Sequence, residues 1–302
     1  MLKGLVITPP VLGRISIGKV IEKNGKKLPE KDDQFTITSQ LQGSEGWVPH
    51  PCDEGLRKAQ GGKIRAIPIR LLFNDPDLNF RAEYALFDRR TGRPVCVGNG
   101  ETCKRRAESG VQSLPCPSPD GCALAQSGAC KPYGRLNVLI GDDDPLGSFV
   151  FRTTGFNSIR TLSARLAYFQ AISGNRLAYL PLELRLRGKS TRQSMGTPIY
   201  YVDLTVRNGV SVEEALTEAK RLEADRQEAG FDQVALETAA RLGFSNGAFE
   251  EGDDEGDSVV EEFFPEGGGG QGDPGITPEK ALAPSLADKL EDRGASLAKY
   301  AV

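Results

Sequence analysis

The chain has a single histidine, a single tryptophan and only two methionines in 302 residues. One histidine, His50, offers neither the paired-histidine pattern of zinc proteases nor a serine triad. A Gly-x4-Gly-Lys-Ser/Thr phosphate loop is also missing. No apolar run approaches the roughly 18–20 residues of a membrane span. The first residues lack an apolar core followed by a small-residue cleavage site, so no signal peptide is expected. These absences argue against an enzyme and against membrane association, and they predict a cytoplasmic protein. Hydrophobic residues make up 38% of the chain. That low figure has a local cause, because the last fifty or so residues are polar and glycine-rich.

Charge is unevenly spread. The net charge is -3, yet from Glu250 onward there are 14 acidic and 4 basic residues, against 27 acidic and 34 basic in residues 1–249. A mildly basic body with an acidic tail points to a polyanion-binding body and a detachable or autoinhibitory tail.

Five of the six cysteines are clustered. Cys103, Cys116, Cys122 and Cys130 fall within 28 residues of a stretch rich in Gly, Pro and Ser, and Cys96 lies just upstream. So few large apolar side chains cannot hold such a segment by burial alone. In a reducing compartment, four thiolates around one structural Zn2+ are the expected staple. The spacing C-x12-C-x5-C-x7-C is looser than a common zinc knuckle. Disulfides, redox chemistry or an iron–sulfur cluster remain alternatives. Cys96, between two valines, reads as a core residue; Cys52 and His50 are weaker candidate ligands. A closed four-thiolate shell has no open position for catalysis.

Period-two alternation predicts strands at 64–73 and 80–88, joined as a hairpin, and Pro68 places the first at an edge or bulge. Strands at 135–140 and 148–153 flank the turn beginning Asp142-Asp-Asp144. That run could bind a divalent ion but reads more simply as a turn. A helix capped by Asn157 is expected over 158–173, with Ile159, Leu162, Leu166 and Phe169 as its apolar stripe. Two more strands follow at 180–187 and 199–207. Ser211-Val-Glu-Glu214 is a capping box that opens a helical pair.

Basic residues recur in the second half: Arg152, Arg160, Arg165, Arg185, Arg187, Lys189 and Arg192. They alternate with apolar positions or sit beside hydroxyls, as phosphate-binding residues do. Phe156, Tyr168, Tyr200 and Tyr201 could stack on bases. Lys104 and Arg105, next to Cys103, would join this surface. The plainer reading is a solvated face over ordinary core aromatics. The acidic run Asp253-Asp-Glu-Gly-Asp-Ser-Val-Val-Glu-Glu-Phe-Phe-Pro either docks on a partner, covers a cationic groove in competition with DNA, or acts as a solubilising linker.

The run Cys116-Pro-x4-Cys122…Gly128-x-Cys130-Lys-Pro-Tyr-Gly-Arg-Leu-Asn-Val resembles a family of phages and mobile elements. So do Leu146-Gly-Ser-Phe-Val-Phe-Arg-Thr-Thr-Gly-Phe-Asn-Ser-Ile-Arg-Thr-Leu and Leu182-x-Leu-Arg-Leu-Arg-Gly-Lys-Ser-Thr. Its members are labelled recombination directionality factor-like, or "hydrolase or metal-binding protein". The resemblance covers roughly residues 1–210. It implies DNA recombination in a bacterial host cell without catalysis of its own. It also implies contact with a serine integrase or another recombination or replication protein, and with single- or double-stranded DNA. A single-stranded DNA-binding replication protein and a metal-dependent nucleic-acid hydrolase are the alternatives. The expected fold is α+β. A zinc-stapled, mainly antiparallel sheet body (1–208) is followed by a peripheral helical arm (209–246) and a disordered acidic tail (247–302).

Overall fold

A computed structural model describes residues 10–23, 26–43, 46–142, 147–190, 198–243 and Phe263. Their strands are β1 (Val11–Lys23), β2 (Lys26–Gly43), β3 (Gly46–Pro49), β4 (Ala66–Arg70), β5 (Phe80–Phe87) and β6 (Pro94–Gly98). Then come β7 (Thr102–Ala107), β8 (Gly110–Pro115), β9 (Lys131–Ile140), β10 (Ser148–Thr153), β11 (Leu182–Lys189) and β12 (Ile199–Val206). The helices are α1 (Pro51–Ala59), α2 (Pro76–Asn79), α3 (Ser118–Gly121), α4 (Phe156–Ile172), α5 (Val212–Glu228) and α6 (Gln233–Gly243). The result is a mixed α+β fold around a large, mostly antiparallel sheet.

Neighbouring strands run β3–β2–β1–β10–β9–β5–β6–β7–β8, while β4 and β11–β12 branch from β9. One recorded pairing, β1 with β10, is parallel. Long β9 pairs with β10 and β5 on its two sides and hands its last residues, Leu139 and Ile140, to β4. The chain entering β4 then bridges back to β2, where Phe35 N donates to Ile64 O at 2.7 Å. Pairing therefore closes a ring, β2–β1–β10–β9–β4. Its interior is filled by Ile15, Phe35, Ile37, Ile67, Ile69, Leu136, Val138 and Phe151, each at most 1% exposed. This is the period-two pattern at work: one face of each strand goes to the core.

Helix α4 packs Ile159, Leu162, Leu166 and Phe169 into the same core. Gly134 permits that approach, since a Cβ there would stand 2.7 Å from the Phe80 ring and 3.1 Å from Ile159. The expected stripe is correct, but the cap is Gly155 rather than Asn157. Asn157 lies inside the first turn, and its Oδ1 accepts from Lys189 Nζ at 2.8 Å.

The hairpin expected from 64–73 and 80–88 does not form, because β9 takes both strands as separate partners. Asn79, fully buried, fixes the turn between them. Its Oδ1 accepts from Leu72 N and Phe73 N, and its amide donates to Phe73 O and Asp75 O. Pro68 sits in a strand paired on both sides, not at an edge. Its carbonyl accepts from Gly141 N, and its missing donor falls where the β4–β9 ladder begins.

Ser211 and Glu214 make the capping box of α5 in both directions. The helical pair is packed on the body rather than projecting from it. Ala215 and Ala219 are fully buried in the main core, and Ala240 joins Leu72, Phe73, Leu78 and Leu139 in a second cluster. Small residues explain this, since alanine lets a helix sit close without a wide apolar stripe. Polar clamps add to it: Arg176–Glu223 at 2.6 Å, Arg70–Glu218 at 2.6 Å, and Glu237 accepting from Asn74 N at 2.6 Å. Among the described residues no helix is long and apolar enough to cross a membrane.

Candidate functional site

The segment expected as a cysteine loop begins as more sheet. β7 and β8 form a hairpin that extends β6, and the irregular part starts at Cys116. On β6 and β7, Cys96 pairs with Arg105 and Gly98 with Cys103, so Cys96, Cys103 and Arg105 share one face. Cys116 comes up to that face. A Cβ on Gly98 would lie 3.0 Å from Cys116 Sγ and 2.6 Å from Cys103 Cβ, so glycine is what lets the cysteines close on the strand. Cys103 Sγ faces Pro115 O at 3.7 Å, and Cys116 N donates to Glu101 O at 2.8 Å.

All six cysteines are free. Burial, and then the neighbouring Cys96 sulfur, pushes the Cys103 thiol up to about 12. Burial, followed by Cys96, Cys122 and Cys116, pushes Cys130 up to about 11. Five sulfurs thus act on one another electrostatically. Cys96, read from sequence as a core residue, stands within this group. Burial works against the charge of Arg105, but a hydrogen bond to Cys96 and the surrounding sulfurs outweigh it and raise its pKa. Lone thiolates are costly here, and a divalent cation would reverse that cost. Among the described residues no three of these side chains stand together as metal ligands. By register and approach, Cys96, Cys103 and Cys116 lie toward one face, with glycine at position 98 clearing the backbone behind them.

His50 and Cys52 serve elsewhere. His50 caps α1, its Nδ1 lying 3.3 Å from Cys52 N and 3.0 Å from Cys52 Sγ, and its ring meets Phe149 edge-on. Burial pushes Cys52 up to about 11, so it is a thiol packed against the main core.

The other face of the sheet carries arginines. Register sets Arg81 of β5 opposite Arg135 of β9, and Arg135 opposite Arg152 of β10. Arg14 of β1 is level with Val150, two residues from Arg152 and on the same side. Four adjacent strands so present four guanidiniums in a row, with Ile15, Phe151, Leu136 and Phe80 beside them on the core side. Arg14, Arg135 and Arg152 are only 4%, 3% and 7% exposed. Burial first, then Arg81, holds Arg135 down to about 9. Two aromatics flank the row, Trp47 at its Arg14 end and Tyr133 beside Arg135. Arg14 Cζ lies 3.9 Å from the Trp47 ring centre, and Arg135 Cζ lies 5.8 Å from that of Tyr133.

The basic residues singled out by sequence are not one patch. Arg152 belongs to the buried row. Arg165 and Arg187 share Asp203, at 3.0 and 3.3 Å, where α4 meets β12. Arg185 pairs with Glu183, its neighbour two residues back. Lys189 bonds Asn157 and lies 5.9 Å from the Tyr201 ring. Arg160 is exposed on α4, near exposed Phe156 and Tyr168. Lys104, opposite Val97, belongs to the arginine side of the sheet, whereas Arg105 belongs to the cysteine side. Arg192 lies outside the described residues, as do Asp143, Asp144 and the tail apart from Phe263. Asp142 is engaged by Arg70 and Arg207. Sequence reading sets Tyr133–Arg135 beside the cationic strands but misses Arg14 and Arg81. Arg14 and Arg135 are flanked by buried positions in their strands and Arg81 follows buried Phe80, but only register shows that they align.

Comparison with known proteins agrees with the resemblance read from the motifs. The comparisons with curated proteins and with solved structures returned no significant match. A family model described as Gp3-like, recombination directionality factor-like, matches residues 12–207, which hold β1 through β12, the cysteine group and the whole arginine row. The chain belongs to the Gp3-like, recombination directionality factor-like family.

Proposed function

We propose that the protein is a non-enzymatic accessory factor of DNA recombination that binds a DNA strand on the arginine face of its sheet. The observation that carries this reading is the row Arg14, Arg152, Arg135 and Arg81 on four adjacent strands, with Trp47 beside Arg14 and Tyr133 beside Arg135. Guanidiniums spaced one strand apart, ~4.8 Å, follow a phosphate backbone, and flat rings at the margins take unstacked bases. Single-stranded DNA fits that arrangement better than a duplex, whose bases are already stacked. The cysteine group holds a structural Zn2+ through thiolates drawn from Cys103, Cys116, Cys122 and Cys130, with Cys96 at hand, and fixes β6–β8 at the edge of this face. When bound, the ion supplies a cross-link and no chemistry.

The test is fluorescence anisotropy of the full chain with labelled single- and double-stranded oligonucleotides across a salt series. Arg14→Gln and Arg152→Gln should each weaken binding and lower the salt slope by about one. No binding to either oligonucleotide at low salt would overturn the reading.

A second reading, contact with a serine integrase, is favoured by α6. Its Val234 and Leu242, each 73% exposed, lie eight residues apart on one side of the helix. Such side chains suit a protein partner. Val234→Asp should abolish co-purification with an integrase without changing oligonucleotide affinity.

A further inference from the structure

Strands β1 and β2 stay paired well past the rest of their sheet. Neighbour β10 accompanies β1 only over Val11–Ile15, and β3 accompanies β2 only over Thr38–Gly43. Beyond Ile17 the ladder runs on for five more pairs, from Lys19 opposite Glu30 to Lys23 opposite Lys26. Among the described residues, neither strand of this ribbon pairs with a third. At ~3.4 Å per residue the five pairs span about 17 Å.

The ribbon leaves the sheet through an elbow. Gly18 alone on β1 faces residues 31–34 of β2, and its φ of 121° is one that a side chain would strain. A bulge of that size bends the ladder and re-aims what lies beyond it. The elbow is clamped to the body. Thr36 Oγ1 donates to Gly18 O at 2.6 Å. Lys63 and Arg65 both pair with Asp33, Lys63 also lies 3.6 Å from Asp32, and Arg57 Nη1 donates to Gln34 Oε1. A lone two-stranded hairpin is marginally stable in water, and the clamp gives this one a fixed root.

The sequence of the ribbon is basic. Residues 19–31 hold five lysines, at 19, 23, 26, 27 and 31, against Glu22 and Glu30. Their net charge is +3, out of +7 for the whole of residues 1–249. Lysine and proline on an open edge deter pairing with other chains, and Pro29 stands opposite Val20. Register also sets Lys23 directly opposite Lys26, however, and like charges so placed weaken a strand pair. Stability is not what puts them there. A two-stranded ribbon fits the major groove of B-DNA, about 12 Å wide, and is too broad for the minor groove, about 6 Å wide. A reach of about 17 Å follows that groove for half a helical turn.

We propose that the β1–β2 ribbon is a second DNA-binding element, an arm that enters the major groove of a duplex and sets its lysines against the flanking phosphates. This goes beyond the strand-binding reading of the arginine face and does not depend on it.

The test uses the full chain with two labelled probes, a short duplex and oligothymidylate. Changing Lys23, Lys26 and Lys27 together to Gln should weaken duplex binding ~10-fold or more at low salt and lower its salt slope by about three. Oligothymidylate affinity should stay as in the parent. The same three changed to Arg should bind the duplex as the parent does. Lys26→Gln alone relieves the like-charge pairing with Lys23, so it should fold at least as well and still lower the slope by about one. Dimethyl sulfate footprinting reads the groove: the parent should shield guanine N7 on the duplex, and the triple Gln variant should not. Unchanged duplex affinity and slope in the Gln variants overturn the arm and leave its lysines as edge protection. Shielding of adenine N3 alone, in the minor groove, overturns the docking. Equal loss on both probes overturns a separate duplex element. If the parent binds the duplex but not oligothymidylate, the arginine-face reading fails and the arm stands.

Discussion

Arg207 grips Asp142 with both terminal guanidinium nitrogens, the longer contact being 3.0 Å, and so ties the end of β12 to the end of β9. Arg70 reaches the same carboxylate from β4. Three strands of the branch point are thus held by one acid. Hydrogen bonding from Arg207, with Arg70 adding to it, lowers the Asp142 carboxyl to about 2. Because the folded pKa is depressed, this contribution is complete above the ordinary carboxylate range and is lost as pH falls through about 2. Asp142→Asn should lower stability by about 1 kcal/mol at neutral pH, a modest value because the side chain is half-exposed and solvent screens the pair. It should also flatten the acid limb of a plot of denaturation midpoint against pH. An unchanged acid limb would show that other carboxylates set it.

Asn79→Ala should cost about 3 kcal/mol or more. Four backbone bonds would be lost, three of them buried where nothing nearby could replace them. Urea denaturation measures this directly. Asn79→Asp keeps the acceptor for Leu72 N and Phe73 N but loses the donors, and should be destabilised as well.

Gly98→Ala should destabilise the hairpin edge by about 2 kcal/mol, since the new methyl meets Thr102 O at 2.8 Å as well as both cysteines. The backbone oxygen cannot swing away as a side chain would. Thermal melting measures the loss, and elemental analysis of the same samples should show less bound zinc than in the parent.

Purified under reducing conditions, the parent chain should contain about one zinc per molecule. Cys116→Ser and Cys122→Ser should each release it and lower the melting temperature. A chelator should do the same to the parent. Metal-free parent protein that melts as a single cooperative unit would remove zinc from the account.

Elements set by local chemistry were legible in the sequence. The Ser211–Glu214 capping box, the α4 stripe, the β9–β10 pair and the strands β11 and β12 all follow from residues near one another in the chain. The mixed α+β class follows from them too. Less was legible where distant partners decide. Nothing local says that β9 takes both β4 and β5, and a hairpin is the natural guess when a turn separates two alternating runs. β7 was hidden by Lys104-Arg105-Arg106, which reads as a charged loop; pairing with β6 and β8 makes it a strand. The candidate site depends on register above all. A one-residue slip of β9 would send Arg135 into the core and Leu136 out. Phe263 stood out only as an apolar residue in an acidic run, with no sign that it is buried against Phe87 and Tyr133.

The parallel pairing of β1 with β10 has a consequence for assembly. Val11 meets Ser148, so the first strand of the body has one neighbour at once, β2, and must wait for the other. The edge that β10 will fill stays open while the ribosome makes everything between, including all six cysteines. Contacts this distant in sequence form slowly, and an unfilled strand edge invites pairing with another chain. Early capture of a metal by β6–β8 would give the nascent chain an ordered island before the barrel can close. Expression under zinc starvation should then leave the protein in inclusion bodies through failed closure of the ring, even though Cys103, Cys116, Cys122 and Cys130 all lie outside its strands.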